Sequence, residues 1–331
     1  MILIWGMSVN KNSLGRFILL KKVFRFINTF MLLFALMASV SVAESPDQFA
    51  LYDQEEFNDY ANFHGGVGTI KYAEYWGPDD YQSQHNFLRV VLIPPKASIG
   101  EYKLVDSDET FALVNGMAFI TVDGHTGRLS GKTLVPVKMG SSVGIYNPTA
   151  GVITVIWVCS VKEKGKYNPL DLENDLTEKR PEGVIPFPYI AQNYFITAPG
   201  KEVSHLGIGQ GLIENLETVD FDYFETGYHT RWFAVPPGSS IGYHTHFTNE
   251  EHFFVVSGSA RGTVNNITVR MDSLDCLMCG IDDCHGIYND STEDLWLFFT
   301  NQPMPGVTGW GKVDNNGDTL DGREVNWRPG R

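Results

Sequence analysis

An internal repeat constrains the fold of this 331-residue chain more than any other feature of its sequence. Residues 94–116 read PPKASIGEYKLVDSDETFALVNG and align without a gap on residues 236–258, PPGSSIGYHTHFTNEEHFFVVSG. The same offset of 142 residues carries VGIYN at 143–147 onto HGIYN at 285–289. Because about a third of the aligned positions are identical, the repeat predicts two domains of one fold in tandem.

Short runs of β-forming residues dominate both copies, and long helical patterns are absent from the sequence. Typical runs are FLRVVLIPP, GVITVIWVCSV, EHFFVVSG and EDLWLFFTN, separated by Gly, Pro, Asn and Asp. Many short strands punctuated in this way are typical of a β-sandwich or β-barrel. The sequence therefore predicts an all-β fold.

A connector rich in proline and charge separates the two copies, and it contains EKGKYNPLDLENDLTEKRPEGVIPFP. Such punctuation without apolar periodicity indicates a linker. We predict an N-terminal domain at 44–162, a linker at 163–200 and a C-terminal domain at 201–331.

The first 43 residues have the order of a secretory signal peptide. Basic residues from Lys11 to Arg25 precede an apolar run, and Ser41 and Ala43 hold the small-residue positions of a cleavage site. The apolar run is shorter than the roughly 20 residues of a membrane span, although an uncleaved anchor is the alternative. We predict that residues 1–43 are removed and that the mature protein, beginning near Glu44, is secreted or periplasmic without a membrane attachment.

Composition narrows the choice of partners. Hydrophobic residues make up 43% of the chain, enough for a sizeable core, and the formal net charge is −14. Nucleic-acid binding requires patches of Lys and Arg that contact phosphates, and no such patch follows residue 50. The expected partner is a small-molecule substrate, not a nucleic acid, and a homo-oligomer is compatible with this composition.

Four cysteines follow the predicted leader: Cys159, Cys276, Cys279 and Cys284. Cys276 and Cys279 have the C-x-x-C spacing of a zinc site, but the sequence holds no second C-x-x-C pair. Buried or disulfide-linked thiols are the favoured interpretation, and structural zinc is the alternative.

Two histidines and a glutamate in the second copy have the spacing of a metal site. Alternate side chains of a strand share a face, so His244 and His246 point the same way. Glu251 opens the next strand, and His285 follows 34 residues later, after a second hairpin. Imidazoles beside a carboxylate suit a divalent transition metal, whereas a surface hairpin with incidental histidines is the alternative. Glu250 is the alternative carboxylate, but the repeat pairs Glu109 with Glu251.

This pattern resembles the cupin family. The first cupin motif, G-x(5)-H-x-H-x(4)-E-x(6)-G, fits at every spacing, with its fixed positions at Gly238, His244, His246, Glu251 and Gly258. The resemblance spans about 64–160 and 205–305. It implies two tandem cupin barrels, each a double-stranded β-helix or jelly-roll, packed together as a bicupin.

The second cupin motif, P-x-G-x(2)-H-x(3)-N, is matched only in part. His285 and Asn289 occupy the histidine and asparagine positions, whereas Gly280 and Asp282 stand where the motif has proline and glycine. The departures leave the histidine ligand in place and concern the geometry of the turn before it.

By this resemblance, His244, His246, Glu251 and His285 bind one divalent transition metal: Fe, Mn, Cu, Ni or Zn. The N-terminal copy has Tyr102, Leu104 and Val143 where the C-terminal copy has the three histidines, and only Glu109 remains. A single carboxylate cannot hold a transition metal with useful affinity, so we predict a metal-free N-terminal barrel.

Three functions fit such a site. The first is an oxygen-using dioxygenase or oxidase acting on a small organic substrate, by analogy with extracellular quercetinase-like bicupins and the germin-like shell. The second is a redox-neutral lyase, decarboxylase or isomerase in which Glu251 could also act as the catalytic base. The third is a non-catalytic metal- or ligand-binding module.

The remaining histidines lack partners at metal spacing. His252 follows Glu251 directly, so strand alternation sends it to the opposite face. His205 and His229 are the two others that could reach the C-terminal pocket.

Overall fold

The computed structural model describes residues 47–174, 201–203, 213–318 and 320–325. The predicted signal peptide and most of the predicted linker lie outside these residues. Within the described part, every regular element is a β-strand except two 3-10 turns, Gln54–Glu56 and Phe63–Gly65. None of the described helices is long and apolar enough to cross a membrane. The all-β prediction is confirmed.

The N-terminal barrel consists of two antiparallel sheets. Its strands β2 to β12 are Asn58–Ala61, Thr69–Trp76, His85–Ile93, Ser98–Lys103, Ser107–Leu113, Met117–Val122, His125–Ser130, Thr133–Val137, Ser142–Tyr146, Ile153–Val161 and Leu170–Asn174. One sheet has the order β2-β3-β4-β11-β6-β9, and the other has the order β12-β5-β10-β7-β8.

The C-terminal barrel repeats this arrangement strand for strand. Its strands β13 to β23 are Lys201–Val203, Ile213–Val219, His229–Val235, Ser240–His246, Asn249–Ser257, Ala260–Val264, Ile267–Met271, Cys276–Cys279, Cys284–Tyr288, Leu295–Pro303 and Val313–Asp318. One sheet has the order β13-β14-β15-β22-β17-β20, with β1 (Phe49–Ala50) added beside β20, and the other has the order β19-β18-β21-β16-β23. The repeat read from the sequence is therefore a repeat of topology.

Two strands depart from the predicted domain boundaries. β1, Phe49–Ala50, pairs with β20 of the C-terminal barrel, although we assigned residues 44–162 to the N-terminal domain. The apolar Phe49 side chain packs in the core of that second barrel. In addition, β12 lies within the predicted linker yet pairs with β5, as β23 pairs with β16 in the other barrel.

Side-chain alternation gives each large sheet one face inside its barrel and one face outside. Val155 and Trp157 lie in the core of the N-terminal barrel, whereas Ile156 between them faces outward. In the C-terminal barrel Phe253 points inward and the adjacent Phe254 points outward. Since both faces are apolar, each barrel must cover its outer face with another apolar surface.

The two barrels cover each other's outer faces. One buried cluster joins both large sheets; among its members are Trp76, Leu88, Ile156 and Val158 from the first barrel and Trp232, Phe254 and Phe298 from the second. The bicupin packing that the resemblance implied is thus present.

Two carboxylates at equivalent positions of the repeat, one in each barrel, accept hydrogen bonds across this interface. Asp108 accepts hydrogen bonds from the backbone N–H and the hydroxyl of Thr226 at 2.8 and 2.9 Å. Glu250, its counterpart in the repeat, accepts from the backbone N–H groups of Gln82 and Ser83 at 2.6 and 3.0 Å. Each barrel therefore binds a loop of the other through the same position of its fold.

Candidate metal centre

The four predicted ligands meet inside the C-terminal barrel. His244 and His246 lie at the end of β16, and His285 lies on the adjacent strand β21, directly across from His244. Glu251 comes from β17 in the facing sheet. All four side chains are buried, and their ligand atoms lie within 4.8 Å of one another. No other group of three or more such residues exists in the part of the chain that the structure describes.

The spacing of the donor atoms fits a single cation. His244 Nε2 lies 3.0 Å from His246 Nε2, and His246 Nε2 lies 3.1 Å from Glu251 Oε1. His285 Nε2 lies 2.9 Å from Glu251 Oε2. A metal with bonds of about 2.1 Å places ligands at right angles about 3.0 Å apart, so these three separations are compatible with donor atoms that converge on one cation.

The second nitrogen of two of the three rings faces a backbone carbonyl. His244 Nδ1 lies 2.7 Å from Gly242 O and His285 Nδ1 lies 3.3 Å from Asp283 O. His246 Nδ1 is buried without a hydrogen-bond partner among the described residues. A ring that donates its Nδ1–H to a carbonyl presents the Nε2 lone pair, which is the tautomer that binds a metal.

Protonation states at the site also suit a metal. Burial alone would raise the pKa of Glu251, but His246, His285 and His244 together lower it well below its usual range. Burial lowers the pKa of His246. Glu251 is therefore ionised and His246 neutral at neutral pH, as metal ligands must be.

Two neighbouring side chains point away from the site. Glu250 bonds the loop of the N-terminal barrel described above, so Glu251 is the carboxylate of the cluster. His252 lies on the opposite face, as expected from strand alternation, and packs at the barrel interface against Trp76 and His85 with ring centroids 5.3 and 5.1 Å apart.

The turn before His285 forms even though Gly280 and Asp282 replace the proline and glycine of the second cupin motif. Asp282, at the motif's glycine position, has a φ of 68°, in the left-handed region that glycine enters freely and Asp tolerates. Asn289 at the motif's last position is buried and donates to the carbonyls of Val235 and Glu293 at 2.7 and 2.8 Å. These bonds close the turn after β21 that presents His285.

Two buried asparagines near the site were not predicted from the sequence. Asn301 Nδ2 donates to Glu251 Oε1 at 2.6 Å, and Asn249 Nδ2 donates to Asn301 Oδ1 at 2.7 Å. Both asparagines are fully buried. The repeat contained a signal for them, because the equivalent positions in the N-terminal copy hold Cys159 and Ser107.

A basic and aromatic group lies beside the asparagines. His229 pairs with Asn301 across the sheet, and its Nε2 accepts a hydrogen bond from Arg231 Nε at 2.6 Å. The Arg231 guanidinium lies 4.6 Å from the ring centroid of Trp310, and Phe221 stacks on His229 at 4.9 Å. His229 was one of two histidines expected to be able to reach the interior of this barrel, but it accepts from Arg231 and is not part of the cluster of four candidate ligands. His205 lies outside the described residues.

In the N-terminal barrel, aromatic side chains fill the corresponding position. Tyr102 OH donates to Glu109 at 2.5 Å, Trp157 Nε1 donates to it at 2.9 Å, and the His64 ring stacks on Tyr102 at 3.9 Å. Burial raises the pKa of Glu109 to about 7, although its hydrogen bonds oppose the shift. The residues present do not form a metal shell.

The four cysteines are free thiols. Cys159, Cys276 and Cys279 are buried and Cys284 is partly exposed, with its Sγ 2.8 Å from the Thr245 hydroxyl. Burial raises the pKa of each of the three buried thiols. The buried-thiol interpretation is confirmed, and neither a disulfide nor a cysteine zinc cluster is present among the described residues.

Comparisons with known proteins agree with the fold. The structure matches oxalate decarboxylase from Bacillus subtilis with a TM-score of 0.57 and 13% sequence identity, over 84% of this chain and 81% of that one. Vicilin from hazelnut, Corylus avellana, matches with a TM-score of 0.56 and 10% identity, over 79% of this chain and 86% of that one. No protein-family model and no curated protein sequence matches the chain.

These likenesses extend over both barrels and concern the fold. Together with the two barrels of two sheets each and the residues at 238–258, they show that the protein has the bicupin fold that its sequence resembles. Within that fold, the C-terminal barrel brings together four side chains that could hold a metal ion, and aromatic side chains fill the corresponding position of the N-terminal barrel.

Proposed function

We propose that the protein is a metal-dependent enzyme acting on a small organic substrate at the C-terminal barrel. The observation that carries the proposal is the convergence of three imidazole rings and one ionised carboxylate, all buried inside the barrel. Burying a carboxylate among imidazoles is costly unless a cation compensates it, and a purely structural barrel would fill that space with apolar side chains. The N-terminal barrel, which does so, is the internal comparison.

The residues present would hold the metal and surround its substrate. A bound divalent metal would supply Lewis-acid polarisation of a substrate carbonyl or carboxylate. Glu251 would act mainly as a ligand, because its lowered pKa makes it a weak base. The buried Phe253 ring lies 5.7 Å from the His285 ring and would place an apolar side chain beside the metal ligands.

We favour redox-neutral decarboxylation or a related lyase reaction of a small carboxylic acid. One protein similar in fold over both barrels is an oxalate decarboxylase, and Arg231 places a buried positive charge in the same barrel interior. Such a charge attracts a carboxylate. In decarboxylation the acid loses carbon dioxide and gains a proton, with no net consumption of dioxygen.

An oxygen-using reaction is the second candidate, and the aromatic side chains near the site favour it. Phe299 lies 6.1 Å from the Trp310 ring, and Phe221 contacts Trp310 edge-on at 5.2 Å. These rings suit a planar enol, catechol or flavonol-like substrate. A non-catalytic binding module is the third candidate.

The test is a metal analysis followed by paired assays. Purified protein would be assayed for bound metals, and then incubated with oxalate, other small carboxylic acids, catechols and flavonols, while released carbon dioxide and dissolved oxygen are both recorded. Carbon dioxide release without net oxygen uptake would support the decarboxylase, and stoichiometric oxygen uptake would support the oxygenase. Protein that binds no divalent metal would overturn the proposal.

We further propose that the protein is exported, on the order of basic, apolar and small residues before Glu44. N-terminal sequencing of material recovered outside the cytoplasm should begin at or near Glu44. A full-length product confined to the cytoplasm would contradict export.

A further inference from the structure

A carboxylate that binds a metal through one oxygen needs a partner for its other lone pairs. Glu251 is 1% exposed, so water cannot supply that partner freely. Asn301 Nδ2 donates to Glu251 Oε1 at 2.6 Å, a distance typical of a strong bond to an ionised acceptor. Asn301 lies on β22, directly across the sheet from Glu251 on β17.

The hydrogen bond from Asn301 to Glu251 is the first of a connected series of hydrogen bonds. An ionised carboxylate only accepts, so the amide of Asn301 must turn its NH2 group toward Glu251 and its oxygen toward Asn249. Asn249 then turns its own NH2 group toward Asn301 Oδ1 at 2.7 Å and toward Gly309 O at 2.9 Å. The Thr248 hydroxyl donates to the remaining oxygen of Asn249 at 2.8 Å. Every polar atom of the two buried amides has a partner of the correct sign.

This series of hydrogen bonds ends on the loop that contains Trp310. Gly309 precedes Trp310, and Gly306, Gly309 and Gly311 all have positive φ, which lets the loop turn sharply over the pocket. The backbone N–H of Met304 also donates to Thr248 O at 2.8 Å. The loop at 304–312 is therefore attached to the same side chains that hold Glu251.

The N-terminal barrel lacks this series of hydrogen bonds. Its equivalents of Asn301 and Asn249 are Cys159 and Ser107, and Glu109 accepts hydrogen bonds from Tyr102 and Trp157 inside the barrel and from the Ser107 hydroxyl at 3.3 Å, so no amide holds that carboxylate. The two asparagines are therefore present in the barrel that has all four candidate ligands and absent from the barrel that lacks the three histidines.

From these contacts we infer that Asn301 and Asn249 are positioning residues for the metal centre. Asn301 holds the Glu251 carboxylate in the orientation that directs it at the cation, and Asn249 fixes the amide of Asn301 and ties both to the Trp310 loop. The inference rests on the metal centre of the proposed function and is independent of the reaction that the centre catalyses. Residues that orient a metal ligand typically contribute 10–100-fold to metal affinity.

The experiment uses Mn²⁺ as the probe and the full chain as the protein. Asn301→Leu keeps the size of the side chain and removes both hydrogen bonds. We expect its affinity for Mn²⁺, measured by titration with detection of free Mn²⁺ by electron paramagnetic resonance, to fall about 10–100-fold. We also expect the spectrum of the bound ion to change, because the carboxylate is free to rotate. A change of structure remote from the metal would not alter that spectrum.

Two further variants make the result decisive. Thr300→Val removes a buried hydroxyl from the adjacent position on the same strand, which faces the barrel interface, and should leave Mn²⁺ affinity and spectrum unchanged. Asn249→Ala removes the amide that fixes Asn301 and leaves no hydroxyl that could donate to Glu251, as Ser107 donates to Glu109. It should weaken Mn²⁺ binding several-fold and alter the spectrum in the same sense, and it decides the case if Asn301→Leu does not fold. Wild-type affinity and spectrum in a folded Asn301→Leu or Asn249→Ala protein would overturn the inference. Absence of Mn²⁺ binding by the wild-type protein would instead overturn the metal centre itself.

Discussion

At the scale of single residues, one side chain takes opposite states in the two barrels. Glu109 and Glu251 are equivalent in the repeat and both are buried, yet burial raises the pKa of the first while three histidines lower that of the second. The difference arises because Tyr102, Leu104 and Val143 replace the histidines in the N-terminal barrel. A carboxylate without cationic neighbours keeps its proton when it is removed from water.

This difference predicts how the free energy of unfolding depends on pH. The pKa of Glu109 is about 7 in the folded protein against an ordinary value of 4.5, so the folded state holds a proton that the unfolded state releases. The resulting stabilisation is complete below pH 4.5 and is lost as the pH rises through 7, a total of about 3 kcal/mol. Glu109→Gln cannot titrate, so urea unfolding at pH 5 and pH 8 should show a smaller decrease for the variant. Parallel pH profiles would contradict the assignment.

At the metal centre, His285→Ala removes one donor and leaves Glu251 without the ring nitrogen 2.9 Å away. Loss of a ligand should lower the affinity for the metal by more than the roughly 100-fold that loss of a residue supporting a ligand costs. We therefore expect the purified variant to contain little metal while its β-sheet circular dichroism is retained. Glu250→Gln is the matched control, because it alters the adjacent carboxylate that faces the barrel interface. Elemental analysis of both proteins checks the prediction, and full metal content in His285→Ala would refute the ligand set.

At the scale of elements, tight turns between strands place the ligands. The turn before β16 contains Gly238 with a φ of 73°, and the same turn before β5 contains Lys96 with a φ of 65°. The backbone is therefore the same in both barrels, although only one has the residue that adopts this conformation without strain. A non-glycine residue in the left-handed region costs roughly 1–2 kcal/mol.

Exchanging the residues of the two turns, glycine at 96 and lysine at 238, tests the cost of this backbone conformation. Lys96→Gly should change the free energy of unfolding by less than about 1 kcal/mol, and in the stabilising direction, because relief of strain exceeds the added entropy of the unfolded chain. Gly238→Lys should destabilise the protein by about 1 kcal/mol, since a Cβ at Gly238 meets no atom within 4 Å and the cost is conformational alone. Denaturant unfolding of both variants measures the pair. A destabilising Lys96→Gly would show that the lysine side chain, which donates to Pro148 O, outweighs the strain.

At the scale of the whole molecule, the two barrels share one apolar interface. Alternate residues of each large sheet line the barrel core and the interface, so a single strand such as β11 serves both. The reciprocal bonds of Asp108 and Glu250 add polar specificity to that contact. Unfolding of one barrel would expose the apolar outer face of the other, and this couples their stabilities.

A cavity in the interface should therefore destabilise both barrels together. Ile156 is fully buried in the shared cluster, and Ile156→Ala should lower the free energy of unfolding by about 2–5 kcal/mol. Calorimetry should show one cooperative transition that moves to lower temperature as a unit. Two separate transitions, of which only one moves, would show that the barrels are stable independently.

The local features of this protein were determined by its sequence alone. The spacing of His244, His246 and Glu251 follows from the two-residue period of a strand and one short turn, and the repeat then places His285 in the matching hairpin. The same comparison of the copies predicted that the N-terminal barrel lacks a metal shell. These features depend on residues close in the chain or on a direct comparison of two aligned segments.

Contacts between distant segments were decided only by the tertiary structure. The bond between Asn249 and Asn301, the pairing of β1 with the C-terminal barrel and the direction of Glu250 toward the N-terminal barrel all depend on strand register and on which apolar faces meet. Register is set by the combined burial of whole sheets, and a polar residue at an inward position finds its partner only after the sheets have closed. Spacing along the chain therefore predicts the cluster of three histidines and Glu251, whereas the asparagines that contact this cluster are brought to it by the closure of the barrel.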